Sequence, residues 1–233
     1  MNTVVIIPAY NEEKSIGRVV NDIPRKLVSE VIVVNNNSKD NTESVAKNAG
    51  AVVIRETVQG YGASCLKGIE YARVLNPDVV IFIDGDYSDY PEEIGLLLRP
   101  IQDNGYDFVL GSRILGKREK GALPFQSRVG SIVAGFLIRL FWRKKYTDLG
   151  PFRAIKFDKL LQLEMKDHWY GWTIEMQIKA AKKGLKIIEI PVSYRKRIGK
   201  SKVTGTIRGT VMASIIIIKT IFSELLKNEV KNS

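Results

Sequence analysis

The chain has 233 residues, 45% of them hydrophobic, which is enough for the core of one large α/β domain or two small ones. Lysine and arginine number 36 against 25 aspartates and glutamates, and the formal charge of +11 favours a negatively charged partner such as nucleic acid, a phosphorylated substrate or an anionic membrane. The single cysteine, Cys65, excludes an intrachain disulfide, and no signal-peptide pattern precedes the first apolar run, so we expect a cytosolic setting.

Strand and helix patterns alternate through the first half of the chain. Short apolar runs predict strands at residues 4–7, 31–34, 52–54, 79–83 and 107–110. Helices are predicted between them, over the apolar positions 16, 19, 20 and 23, at 42–49, at 63–72 and from Pro91 onward. This alternation predicts an α/β fold with a mostly parallel sheet and helices on both faces.

The second half is less regular. Helices are predicted at 129–141, 172–183 and 206–226, and a strand at 187–192. Trp142 and three basic residues follow the strongly apolar helix at 129–141, a composition typical of a helix in a membrane interface and also of a core helix with a basic end. The apolar run 211–218 stops at Lys219, well short of the roughly 20 residues that cross a bilayer.

Polar residues follow four of the predicted strands, at the edge where ligands bind in such sheets. The most informative of these clusters is Asp84-Gly85-Asp86, directly after the buried run at 79–83. Two carboxylates one residue apart suit Mg²⁺ or Mn²⁺, which uses one or two protein carboxylates alongside substrate phosphates. An ordinary acidic turn is the alternative. Because the polar residues after all four strands lie at the same edge of the predicted sheet, we favour a metal and diphosphate site over an acidic turn.

Five short motifs follow one another along the chain, at residues 7–12 (IPAYNE), 34–42 (VNNNSKDNT), 84–86 (DGD), 111–113 (GSR) and 197–202 (RIGKSK). Taken together and in order, they resemble those of family 2 glycosyltransferases over roughly residues 3–205. The branch that the chain resembles includes dolichyl-phosphate mannose and glucose synthases and bacterial polyprenyl-phosphate enzymes.

The resemblance implies a GT-A fold, inverting transfer from a nucleotide diphosphate sugar, and the residues of the donor site. The residues that would bind the nucleotide sugar are Pro8, Tyr10, Glu12, Asn36, Gly62, Asp84 and Gly85. Asp84 and Asp86 would hold Mg²⁺ or Mn²⁺ on the diphosphate. Ser88 stands where relatives often have glutamine, so Asp89 or water would complete the metal shell. Asn36 replaces an acid that commonly meets the nucleobase, which leaves the base open.

A polyprenyl phosphate acceptor is already anionic and needs no strong base, so arginines matter more than carboxylates on that side. By resemblance, the residues at the acceptor phosphate are Arg113, Arg128, Arg197, Ser201 and Lys202. A solvated loop or a nucleic-acid patch is the alternative for the basic cluster at 195–202. No nucleic-acid-binding motif accompanies it, so we expect no nucleic-acid partner.

Two further acids are candidates for catalytic roles, together with Asp84 and Asp86. Asp148 lies in a segment that resembles the acceptor and catalytic region of the family. Glu175 lies on the helix at 172–183, where many enzymes of this fold place an acid. A plain ion pair with Lys179, four residues on, is the alternative for Glu175.

The sequence therefore predicts a metal-dependent hexosyltransferase that acts on a polyprenyl phosphate at the cytosolic face of a membrane. We expect a single domain with a donor half at about 1–115, an acceptor half at about 116–205 and a terminal amphipathic helix at about 206–233. A transferase with a soluble acceptor and a non-catalytic protein on a transferase fold remain as alternatives.

Overall fold

A computed structural model describes residues 1–199 and 207–229, the second range with its side chains at 215–226. The strands in this part of the chain are β1 Thr3–Ala9, β2 Glu30–Asn35, β3 Val52–Arg55, β4 Val79–Phe82, β5 Phe108–Ser112, β6 Arg153–Lys156 and β7 Ile187–Pro191. The α-helices there are α1 Ile16–Asp22, α2 Thr42–Asn48, α3 Tyr61–Leu75, α4 Ile94–Asn104, α5 Phe125–Trp142, α6 Phe157–Gln162, α7 Trp172–Lys182 and α8 Ile207–Glu229.

One seven-stranded sheet organises the fold, in the order β3-β2-β1-β4-β6-β5-β7. The prediction of a mostly parallel sheet is confirmed, since only the pairs that β6 forms with β4 and β5 are antiparallel. The sequence did not predict β6, whose four residues include two basic ones. Because β6 runs backwards, its amino end and the preceding segment 147–152 lie at the edge where β4 and β5 end.

Both faces of the sheet are covered, which explains why the central strands are apolar throughout. Val4 and Ile6 of β1 belong to the cluster that α3 and α7 cover, whereas Val5 and Ile7 belong to the cluster that α1 and α4 cover. This alternation follows from the two-residue period of a strand. The polar strand ends are thus held on a rigid support.

Several predicted elements differ in extent from those observed. The helix predicted at 63–72 extends over Tyr61–Leu75, and the one predicted at 129–141 over Phe125–Trp142. The helix predicted from Pro91 begins as a 3₁₀ turn, Pro91–Glu93, before α4. In the described ranges, no helix has both the length and the apolar character required to cross a bilayer. The division into donor half, acceptor half and terminal helix stays a prediction.

We predict that Gly68→Ala destabilises the fold, although alanine normally stabilises a helix relative to glycine. A Cβ atom at position 68 would lie 2.4 Å from Cγ2 of Ile6, where α3 packs on β1. We expect the free energy of unfolding to fall by about 1–3 kcal/mol in urea denaturation. Gly130→Ala in α5 is the matched control, since no atom of the described residues lies within 4 Å of its new Cβ. A stabilised Gly68→Ala variant would contradict this packing.

Candidate active site

A pocket of about 610 Å³, including space open to solvent, lies at the carboxyl ends of β1, β2 and β4. The predicted residues that line it are Pro8, Tyr10, Glu12, Asn36, Asp84, Gly85, Asp86 and Arg197. The structure adds four residues that were not among the predicted site residues, namely Ala9, Tyr61, Ser64 and Tyr170. The helical pattern at 63–72 predicted helix α3, which carries Tyr61 and Ser64. No local pattern predicted that Tyr170 lines the pocket, because it belongs to a segment that is distant in sequence.

Hydrogen bonds between loops fix the mouth of the pocket. The backbone N–H of Asn11 donates to Oγ of Ser38 at 2.9 Å, and that of Glu12 donates to Oγ1 of Thr42 at 2.7 Å. Asn11 has a φ of 53°, a left-handed conformation that asparagine tolerates better than most residues. The loops after β1 and β2 therefore form one unit.

Asn36 lines the pocket, but its side chain is not available to read a nucleobase, which corrects the predicted role. Its Nδ2 donates to the carbonyl oxygens of Glu56 and Val58 at 3.0 and 2.7 Å. Its Oδ1 accepts from the backbone N–H of Gly60 at 2.8 Å and from Nε2 of Gln59 at 3.2 Å. These four bonds use both donors and both lone pairs of the amide. Asn36 holds the turn that leads into α3.

Gly62 does not line the pocket, which corrects a second prediction. A Cβ atom at this position would lie 2.1 Å from the carbonyl oxygen of Asp167. The backbone N–H groups of Gly62 and Ala63 donate to the carbonyls of Trp169 and His168 at 3.2 and 2.9 Å. Glycine is required here because the segment 167–170 packs directly on the first turn of α3. That contact brings Tyr170 to the pocket.

Glu175 is buried, with 4% of its surface exposed. It forms the predicted ion pair with Lys179 at 2.7 Å. Its carboxylate also accepts from the backbone N–H groups of Lys166 and Asp167, the latter at 2.8 Å. The carboxylate is therefore occupied, and Glu175 anchors the segment that carries Tyr170.

Asp84 and Asp86 both line the pocket, as predicted. Burial and the neighbouring Asp86 carboxylate raise the pKa of Asp84 to about 7. Oδ1 of Asp84 is buried and finds no hydrogen-bond partner among the described residues. A buried acceptor with excess negative charge beside it fits a divalent cation. The donor atoms at hand are thus suitable for Mg²⁺ or Mn²⁺.

Of the two predicted ways to complete the metal shell, Asp89 or water, the one with Asp89 is not supported. No group of three or more His, Cys, Asp or Glu side chains in the described part of the chain has the arrangement of a metal site. Asp89 is 1% exposed, burial raises its pKa well above the ordinary value, and neither of its carboxylate oxygens bonds to a described residue. The cation would instead rely on two carboxylates, diphosphate oxygens and water.

Arg197 lies at the donor pocket, whereas the sequence assigned it to the acceptor phosphate. Its Nη2 is 3.1 Å from Oδ2 of Asp86 and 3.6 Å from Oε1 of Glu12. The segment around it is fixed, since the N–H groups of Arg195 and Ile198 donate to the carbonyls of Ser88 and Asp86, both at 2.9 Å. Arg197 is therefore positioned beside the acidic pair.

Arg113 and Asp148 form a buried bidentate ion pair, with Nε–Oδ2 at 2.7 Å and Nη2–Oδ1 at 2.8 Å. Although burial opposes ionisation, Arg113 holds the pKa of Asp148 below its ordinary value. Ser131 of α5 donates to Oδ1 of Asp148 at 3.1 Å. Glu189 of β7, which the sequence reasoning missed, accepts from the N–H groups of Thr147 and Asp148. Asp148 therefore orients Arg113 instead of being free to act as a base.

Of the remaining predicted acceptor residues, Arg128 is described by the structure and Ser201 and Lys202 are not. Arg128 is exposed in the first turn of α5. Ser201 and Lys202 fall outside the described residues.

We predict that Asn36→Asp destabilises the protein, because the new carboxylate would face two carbonyl oxygens in place of two N–H···O bonds. The free energy of unfolding should fall by about 2 kcal/mol or more in urea denaturation. Asn104→Asp, at an exposed position in α4, is the control and should change it by less than about 0.5 kcal/mol. Equal stability of the two variants would show that the Asn36 amide does not hold the turn.

Comparison with known proteins identifies the family. Residues 4–163 match the family model described as Glycosyl transferase family 2. Over 222 residues the chain is 33% identical to the dolichyl-phosphate hexose transferase of Haloferax volcanii, with 91% of each chain covered. Over 230 residues it is 28% identical to the undecaprenyl-phosphate mannosyltransferase of Micrococcus luteus, with 92% of this chain and 93% of that one covered.

The fold is similar to that of glucosyl-3-phosphoglycerate synthase from Mycobacterium tuberculosis, in its crystal structure with Mn²⁺, uridine diphosphate and glucosyl-3-phosphoglycerate. The TM-score is 0.77, the identity is 23%, and the match covers 96% of this chain and 80% of that one. At this identity the match bears on the fold alone. On the family match and on identity to the relatives, the chain belongs to glycosyltransferase family 2 and is a nucleotide-sugar-dependent glycosyltransferase of the GT-A fold.

Proposed function

We propose that this chain transfers a hexose, with inversion, from a nucleotide diphosphate sugar to a polyprenyl phosphate, using Mg²⁺ or Mn²⁺. The observation that carries the proposal is the proximity of an acidic pair in the donor pocket to an arginine fixed by a buried carboxylate. The Arg113 charge acts on the Asp84 carboxyl and lowers its pKa, against the effects of burial and Asp86. A metal-bound diphosphate and a second phosphate could therefore be held side by side.

On the donor side, the residues of this chain would bind and orient the nucleotide diphosphate. Tyr10 and Tyr170 supply aromatic surface to the pocket, and Arg197 lies beside Asp86, where a phosphate oxygen can accept from its guanidinium. Asp84 and Asp86 would hold the cation, which would stabilise the negative charge that the leaving nucleoside diphosphate acquires. The presence of Mn²⁺ and uridine diphosphate in the synthase of the same fold supports this half.

On the acceptor side, Arg113 presents a guanidinium whose orientation Asp148 fixes, and Arg128 supplies a second, exposed cation. An attacking phosphate oxygen already carries negative charge, so the reaction needs no general base. This agrees with the engagement of both candidate bases, Asp148 and Glu175, in other contacts. The two relatives, a dolichyl-phosphate hexose transferase and an undecaprenyl-phosphate mannosyltransferase, support a lipid acceptor. Ser201 and Lys202 stay predictions for the same site.

A lipid acceptor implies that the reaction takes place at a membrane surface, which we propose to be the cytosolic face. The formal charge of +11 supports contact with anionic lipid. The apolar character of α5, with its basic end, supports the same conclusion.

We predict that Asp86→Asn weakens metal-dependent binding of the sugar nucleotide by about 100-fold or more, because it removes half of the negative charge that holds the cation. Isothermal titration calorimetry of UDP and GDP, with and without Mn²⁺, measures the effect. Asp103→Asn, at an exposed position in α4, is the control and should bind like the parent protein. Unchanged affinity in Asp86→Asn would remove the acidic pair from the mechanism.

We predict that Arg113→Lys raises the KM for the acceptor phosphate about 10- to 100-fold while donor binding stays unchanged. Lysine keeps the charge beside Asp148 but loses the planar fork that binds a phosphate at two points. Arg99→Lys, exposed in α4, is the control for the substitution itself. A change in the KM for the donor alone would show that Arg113 acts on the donor and not on the acceptor phosphate.

The reaction itself is tested with a panel of nucleotide sugars, Mn²⁺ and two acceptors, a short-chain prenyl phosphate and 3-phosphoglycerate. Labelling of the prenyl phosphate alone is the expected result. Labelling of 3-phosphoglycerate alone would establish a soluble acceptor instead. Binding of the donor without transfer or hydrolysis would favour a non-catalytic role.

A further inference from the structure

Helix α5 exposes more large apolar side chains than a helix that only covers a core would. Its buried residues are Ser131, Ala134, Gly135 and Ile138. Its exposed residues include Phe125, Ile132, Val133, Phe136 and Leu140, and Phe125, Ile132, Phe136 and Leu140 are between 60% and 74% exposed. Soluble proteins place large apolar side chains inside and seldom leave a contiguous row of them in water. The core-helix alternative accounts for the inner side of α5, where Ala134 and Ile138 belong to the core, but not for its exposed apolar residues.

Helix α8 extends this apolar surface. Ile221 is buried, and the buried Glu224 pairs with Lys182 of α7 at 3.1 Å, which fixes which side of α8 faces the protein. Ile215, Ile218, Phe222 and Leu226 recur at helical spacing and are exposed. Phe141 of α5 packs on Phe222 at a centroid distance of 6.4 Å. We call the exposed apolar residues of α5 and α8 the docking face.

The charge around the docking face has one sign. The basic residues in 125–145 and 215–226, all exposed or partly exposed, are Arg128, Arg139, Arg143, Lys144, Lys145 and Lys219. Glu224 is the single acid in these two segments, and it is buried in its ion pair. Apolar residues flanked only by cations are complementary to an anionic bilayer, whose surface is negative and whose interior is apolar.

We propose that the docking face of α5 and α8 binds an anionic lipid bilayer and lies in its interface. The inference rests in part on the proposed function, because a lipid acceptor gives the binding its purpose. The position of α5 supports it: Ser131 on its inner side contacts the Asp148 carboxylate that orients Arg113. A helix at headgroup level would thus bring the acceptor site to the level of a lipid phosphate.

The test is flotation of the full chain with vesicles of phosphatidylcholine alone and of phosphatidylcholine with phosphatidylglycerol. We expect binding to the anionic vesicles and at least about 10-fold weaker binding to the neutral ones. Ile132→Ser combined with Phe136→Ser should weaken binding to anionic vesicles about 10-fold or more, because two large apolar groups leave the interface. Lys144→Gln and Lys145→Gln should each weaken it about fivefold.

Val74→Ser combined with Leu96→Ser is the matched control, since these residues are 83% and 40% exposed on α3 and α4, away from the docking face. Control and parent protein should float alike, and circular dichroism should show all variants folded. Equal flotation of Ile132→Ser/Phe136→Ser and the control would overturn the proposal. So would a dimer in analytical ultracentrifugation without lipid that the same double substitution dissociates, because the face would then join two copies.

The docking proposal and the transferase proposal can fail separately. Calorimetry of UDP and GDP with Mn²⁺ does not involve the docking face, and Ile132→Ser/Phe136→Ser should bind the nucleotide as the parent does. Transfer to a short-chain prenyl phosphate in solution without vesicles should also persist in that variant. Parent protein that binds nucleotide and transfers sugar but stays at the bottom of the gradient would overturn the docking face alone.

Discussion

The buried ion pair between Arg113 and Asp148 is the interaction on which the acceptor side of the molecule depends. Asp148 joins four elements, because Arg113 follows β5, Ser131 lies on α5, Glu189 on β7 binds its N–H, and Gln177 on α7 donates to its carbonyl at 3.0 Å. Loss of one partner of such a pair typically costs about 3–5 kcal/mol. The guanidinium is therefore held in one orientation, which two-point phosphate binding requires.

The donor side is built with the opposite charge and is electrostatically incomplete. The Asp86 charge raises the pKa of Asp84, the charges of both raise the pKa of Asp89, and Arg197 is the cation paired with this group in the described residues. Unpartnered carboxylate oxygens in a buried place are costly, and a bound cation removes that cost. The donor pocket thus holds more carboxylates than cations, and it lies beside the fixed guanidinium of Arg113, so the two phosphates of the proposed reaction would bind to groups of opposite charge.

The sequence predicted the position of the site better than the contacts within it. Polar residues after parallel strands must meet at one edge, so the donor pocket followed from the strand pattern. The role of Asn36 did not follow, because its partners lie 20 to 24 residues away in a turn whose path no local pattern defines. Glu175 is similar: the pair with Lys179 is local and was predicted, but the bonds to the backbone at 166–167 depend on a loop. The reversed strand β6 was missed because four residues with two charges carry almost no strand signal.

The unusual composition of α5 follows from the same ion pair. Gly135 is required because a Cβ there would lie 2.5 Å from the carbonyl oxygen of Tyr146. Ser131 must be small because α5 lies close to Asp148, and its hydroxyl bonds directly to that carboxylate. A larger residue at either position would push α5 away from the segment 146–148 and release the arginine. The inner side of the helix is thus restricted to small residues at 131 and 135, and the core contacts of Ile138, Leu137 and Phe141 do not explain why the outer side of α5 is apolar as well. Neither the packing of α5 nor the orientation of Arg113 requires particular residues on the outer side of the helix. If this side contacted only water, polar residues would be expected there. The fold therefore does not require the large apolar residues on this side, and the proposed contact with a bilayer is what accounts for them.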